Sequence, residues 1–111
     1  MEIQVERNGT VAVVAVAGQV EAATAPQLRE QFDGLLGDGE QNFVIDLSGV
    51  TFMDSSGLAT LVQLFKRVRI GHGDVRLCGL QPEVQRIFEL TRLDRVFDLF
   101  PDRVEAVASF H

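Results

Sequence analysis

The sequence predicts a single α/β domain, a mixed and mostly parallel sheet of four to five strands packed with about four helices. Three observations point to it. Apolar runs alternate with segments whose apolar residues recur at helical spacing, in the order β β α β α β α β α, and such strand–helix–strand units form parallel sheets through right-handed crossovers. The 111 residues suffice for one packed core and not for two, so residues 1–111 form a single unit. Glycine, asparagine and proline stand at the junctions, where the chain must turn or a helix must start.

Ile3 and Val5 alternate with Glu2, Gln4 and Glu6, and Asn8-Gly9 supplies the positive φ angles of a two-residue hairpin turn. Val11 to Ala17 is apolar throughout, as in a strand covered on both faces, and Gly18 ends it. Thr24-Ala25-Pro26-Gln27 reads as a capping box with proline in the first turn; Leu28, Phe32, Leu35 and Leu36 then form one helix face, closed by Gly37 and Gly39. Asn42 to Leu47 is another buried strand, followed by a segment from Ser48 to Met53.

From Leu58, the spacing of Leu61, Val62, Phe65 and Val68 marks the clearest helix, with that stripe inward. Lys66, Arg67 and Arg69 occupy its last turns and Gly71 follows, as cations and glycine prefer. Asp74 to Cys78 alternates as a strand, and Pro82 opens a helix carrying Val84, Ile87 and Phe88 on one side. Arg95 to Phe100 reads as a short edge strand, and Pro101-Asp102 start a last helix with Val104, Val107 and Ala108 inward.

Composition narrows the function classes. Sixteen acidic against ten basic side chains give a net charge of -6, a poor match to a phosphate backbone, so nucleic acid is not an expected partner. The longest apolar run, Val11 to Ala17, is far below the roughly 20 residues a helix needs to span a bilayer, and no membrane span is expected. One cysteine, Cys78, and a start without a basic flank or apolar signal core suit a reducing, cytoplasmic setting. The two histidines, His72 and His111, lack metal-ligand spacing, so neither a metal nor a cofactor is expected. Gly71-His72-Gly73 precedes a strand instead of following one and lacks the third glycine of a dinucleotide fingerprint.

The informative segment is Val50-Thr51-Phe52-Met53-Asp54-Ser55-Ser56-Gly57-Leu58, which sets two hydroxyls and a carboxylate where the chain enters a helix. In the plainest reading Asp54 or Ser55 is an N-cap, worth about 1 kcal/mol to the helix. A hydrolase reading makes Ser55 or Ser56 a nucleophile, but Met53 stands where a nucleophile elbow has glycine and only His72 offers a base. A third reading is a switch: a serine at a positive helix end that accepts a phosphate of about -1.5 to -2 charges. Phe52 is assigned to the core and Met53 to partial exposure, as an apolar partner anchor.

Val44-Ile45-Asp46-Leu47-Ser48-Gly49-Val50-Thr51-Phe52-Met53-Asp54-Ser55-Ser56-Gly57-Leu58 resembles the signature of STAS-domain anti-sigma-factor antagonists, bacterial partner-switching regulators. The resemblance extends over Gly18 to Ala25, the strand after Gly73 and the helix from Pro82 to Leu90; where many relatives have leucine-aspartate, this chain has Val20-Glu21. It implies a non-enzymatic regulator phosphorylated at Ser55 by a serine protein kinase of the histidine-kinase-like ATPase type, which is also the anti-sigma factor. The unphosphorylated form binds that kinase and frees a sigma factor; phosphorylation ends the binding, and a PP2C-type phosphatase restores it. The resemblance makes Asp54 the local orienting and capping carboxylate, Ser56 a neighbouring hydroxyl and Gly57 the small residue that permits close approach; with Ser55, Met53 and Glu21 they form the candidate partner-binding set. A STAS scaffold subunit of a stress-sensing or transporter-associated complex is the alternative, and a serine hydrolase a distant third.

Overall fold

The computed structural model describes residues 1–111. One five-stranded sheet runs in the spatial order β1 (Glu2–Asn8), β2 (Val11–Val20), β3 (Asn42–Met53), β4 (Asp74–Cys78) and β5 (Asp98–Phe100). β1 is antiparallel to β2, and every other neighbouring pair is parallel. Three helices, α1 (Ala25–Gly37), α2 (Ser55–Ile70) and α3 (Pro82–Leu90), cover one face, where Ala12, Val14, Phe43, Ile45, Leu77, Leu61 and Phe88 belong to one core cluster. The short α4 (Arg103–Ala108) covers part of the other face, packing Ala106 and Val107 on Val11, Val13, Val44 and Cys78. No helix is long and apolar enough to cross a membrane.

The strands differ from the sequence reading where the ladder is irregular. Asn8 pairs with Val11, so the hairpin turn is Gly9-Thr10, one residue later than expected, with only Gly9 at positive φ (+64°). Gly18 does not end β2: at φ +104° it bends a strand that continues to Val20, between register shifts at Ala15/Ala17 and Gly18/Gln19. β3 likewise runs on through Ser48 to Met53. Its residues toward the three-helix core are Phe43, Ile45, Leu47, Val50 and Met53, so the inward step lengthens from two to three after Leu47. The last edge strand shrinks to Asp98–Phe100, preceded by a 3₁₀ turn at Leu93–Arg95.

The helix phases also shift. Leu58, Leu61, Leu64 and Val68 are the buried stripe of α2, while Val62 and Phe65 are half-buried on its flank. In α4, Ala106 and Val107 face the sheet; Val104 is 74% exposed and Ala108 is exposed, against expectation. The cause is Arg103, whose guanidinium reaches Asp46 of β3 and Glu6 of β1 and turns the helix by one residue. Thr24 precedes α1 without donating or accepting a cap bond, so no capping box forms there.

Candidate functional site at the mouth of α2

The end of β3 delivers Asp54 in extended conformation, and its carboxylate caps α2: Oδ1 accepts from the Ser56 amide at 2.8 Å and the Gly57 amide at 3.3 Å. Ser55, the first residue of the helix, is exposed, and Ser56 is half-buried beside it. Gly57 is buried because nothing larger fits: a Cβ there would lie 2.7 Å from Met53 Cγ and 3.0 Å from the Val20 carbonyl oxygen. The first turn of α2 is therefore pressed against the end of β2, and the Asp54 amide donates to that same Val20 oxygen at 3.1 Å.

The loop from Gln19 to Thr24 meets this helix mouth. Asp54 Oδ2, the oxygen free of capping, accepts from the Ala22 amide at 3.3 Å. Thr24 Oγ1 donates to the Gln19 carbonyl at 2.7 Å and accepts from the Glu21 amide at 2.9 Å. Glu21 is half-buried; Ala22, Ala23 and, one turn into α2, Ala59 are exposed. The structure thus brings Asp54, Ser55, Ser56, Gly57 and Glu21 together.

Met53 is the correction. It is 2% exposed and packs in the core, so its side chain is not available as an anchor, whereas Phe52, assigned to the core from sequence, is 46% exposed. The lengthened inward step of β3 exchanges the two. Sequence reasoning also missed the bonds of the Thr24 hydroxyl within the loop and Ala22 as a partner of Asp54. The signal was present only in part: threonine favours local backbone bonds, but which bond it takes is set by the fold.

No histidine stands beside the serines. His72 lies beyond the C-terminus of α2, so the 16-residue helix, about 24 Å at 1.5 Å per residue, separates it from Ser55, and His111 sits near Gly9. Cys78 is buried; burial first, then the charge of Asp46, push its thiol up to about 12, so it stays protonated and unreactive.

The family model for the STAS domain matches residues 2–106. The chain belongs to the STAS domain family. Among relatives of this STAS domain, the anti-sigma-B factor antagonist of Bacillus subtilis is 32% identical over 99 residues, which cover 89% of this chain and 90% of that protein. The crystal structure of an anti-sigma factor antagonist from Mycobacterium paratuberculosis superposes with a TM-score of 0.90 at 30% identity, covering 97% of this chain and 92% of that one. The Bacillus cell fate determinant SpoIIAA in its phosphorylated form shares the fold, with a TM-score of 0.78 at 18% identity over 99% of this chain and all of that one.

Proposed function

We propose that this STAS domain is an anti-sigma-factor antagonist whose binding to a serine kinase that is also an anti-sigma factor is switched off by phosphorylation of Ser55. The observation that carries the reading is the exposure of Ser55 at the first position of a helix whose mouth is already capped by Asp54, in a chain with antagonist relatives. The Ser56 and Gly57 amides, which would otherwise attract a phosphate, are held by a carboxylate. A phosphate on Ser55 therefore stands outward, beside Asp54 and Glu21, and adds its charge to the surface a partner must cover.

Charge is enough for the switch. Two unit charges 4 Å apart interact by about 1 kcal/mol in water and about 4 kcal/mol at an effective dielectric of 20, and about 1.4 kcal/mol is a tenfold change in affinity. The helix dipole stabilises the phosphate in the free domain by about 0.3–1 kcal/mol, which favours the released state. Loss of the phosphate to a phosphatase, of the PP2C type on the resemblance, resets the surface. Incubation with a histidine-kinase-like anti-sigma factor from the same genome and ATP should add one phosphate, located at Ser55 by peptide mass spectrometry, and Ser55→Ala should take none. Label at Ser56 with Ser55 unmodified would overturn the assignment.

A further inference from the structure

We infer that Asp54 and Thr24 are positioning residues, which lock the Glu21–Ala23 loop to the mouth of α2 so that the kinase meets the loop and Ser55 as one preformed surface. The inference rests on the reading of Ser55 as the phosphoacceptor and adds to it the groups that hold the Glu21 loop in place beside that residue.

The two oxygens of Asp54 do different work. Oδ1 alone accounts for the helix cap, and Oδ2 reaches back 32 residues in sequence to the Ala22 amide. Thr24, which could have capped α1, instead spends its hydroxyl inside the loop, as donor to Gln19 and acceptor from Glu21. The Glu21 carbonyl is fixed as well, accepting from the Thr24 and Ala25 amides at 3.0 and 2.7 Å. Backbone polar groups of Gln19, Glu21 and Ala22 are thus satisfied within the domain, while the side chains of Ala22 and Ala23 are turned out.

An ordered loop with small exposed side chains suits a surface that must be approached closely. Alanine has no rotamer freedom to lose on binding, so a partner that covers Ala22, Ala23 and Ala59 around Ser55 orders nothing new. A kinase must also bring a nucleotide phosphate into contact with the Ser55 hydroxyl, and the alanines leave room for that approach. If the loop were free, each encounter would carry the entropy cost of fixing it; the lock removes that cost before binding.

Three variants and two readouts test the lock. Asp54→Ser keeps a side-chain oxygen for the cap but has none left for Ala22; Thr24→Val keeps the shape and loses both loop bonds; Thr24→Ser restores the hydroxyl. In the isolated protein, hydrogen exchange at the Ala22 amide should rise at least tenfold in Asp54→Ser, and at the Glu21 amide in Thr24→Val, with amides in the middle of α2 unchanged. Calorimetric titration with the histidine-kinase-like anti-sigma factor should show at least fivefold weaker binding for both, and binding within twofold of the original for Thr24→Ser. Unchanged exchange would overturn the lock, and raised exchange with unchanged affinity would overturn its recognition role. If the original protein itself fails to bind that kinase, the reading of the preceding section falls and the recognition role falls with it.

Discussion

On the proposed reading, Ser55 stands at an exposed helix start where a negative charge is welcome to the fold and unwelcome to a partner, and this separation is what would make it a switch instead of a structural residue. Aspartate at the first position of α2 gains about 0.3–1 kcal/mol from the positive helix end, of which repulsion by Asp54 takes back a few tenths. Ser55→Asp should therefore melt within a few degrees of the original protein. At an interface the same carboxylate must be desolvated or repelled, so kinase binding should weaken at least tenfold, about 1.4 kcal/mol, by calorimetric titration. Equal affinities with both proteins folded would leave Ser55 as an ordinary first-turn residue. The chemistry of this position is legible in the sequence because a cap is local: Asp54 bonds amides two and three residues away. Phe52 and Met53 are not legible in the same way. Which of two neighbours points inward depends on strand parity, and parity is reset each time the inward step of β3 changes from two to three.

Among the elements, α2 and α3 illustrate how far periodicity reaches. Phe88 of α3 is wholly buried and meets Phe97 edge-to-face at 6.1 Å; Phe65 of α2 is half-buried and meets the same ring at 5.2 Å from the flank. Phe88→Ala should cost about 3–5 kcal/mol, the range for a buried phenylalanine, and Phe65→Ala about 1–2 kcal/mol because less surface is lost. Urea unfolding of the two variants checks the order, and a larger loss for Phe65 would mean that α2 is turned the other way. Residues 58, 61, 62, 65 and 68 make a valid helical stripe on paper, and so do 58, 61, 64 and 68. What decides is the neighbours: Arg67 is paired with Asp33 of α1 on one side, while Phe65, with Arg69 over its ring at 5.5 Å, faces Phe97 on the other. That competition between the neighbours on its two flanks is a property of the assembled layer and leaves no mark in the sequence of α2 alone. Element order, by contrast, was readable throughout, because buried strands and amphipathic helices each carry their own period.

The whole molecule is unequally covered, with three helices on one sheet face and only the six-residue α4 on the other. A helix of that length has no stability of its own, so its docking must come from contacts with the sheet. Asp102 caps it by accepting from the Glu105 amide at 2.9 Å, and the Phe110 ring after it covers the Arg76 guanidinium at 3.8 Å. The strongest fastening is Arg103, donating to Asp46 Oδ2 from two nitrogens at 2.8 and 3.0 Å and to Glu6 at 2.7 Å. Burial pushes the Asp46 carboxyl upward, but the Ser48 amide and the Arg103 guanidinium outweigh it and hold the group below its ordinary value of 3.8. The folded state thus prefers the charged carboxylate more than the unfolded state does. Its contribution is complete above about 3.8 and disappears as pH falls through the lower folded value. Arg103→Met, which keeps the apolar stem, should cost about 1–2 kcal/mol at pH 7, a charged hydrogen-bond pair discounted for the partial exposure of Arg103. As pH falls from 7 to 3, below the ordinary value of 3.8, the unfolded carboxyl takes up its proton first and the difference from the original protein should shrink. Urea unfolding at the two pH values measures it. A penalty that stays constant from pH 7 to pH 3 would mean that Arg103 fastens α4 by packing, with the ion pair contributing nothing.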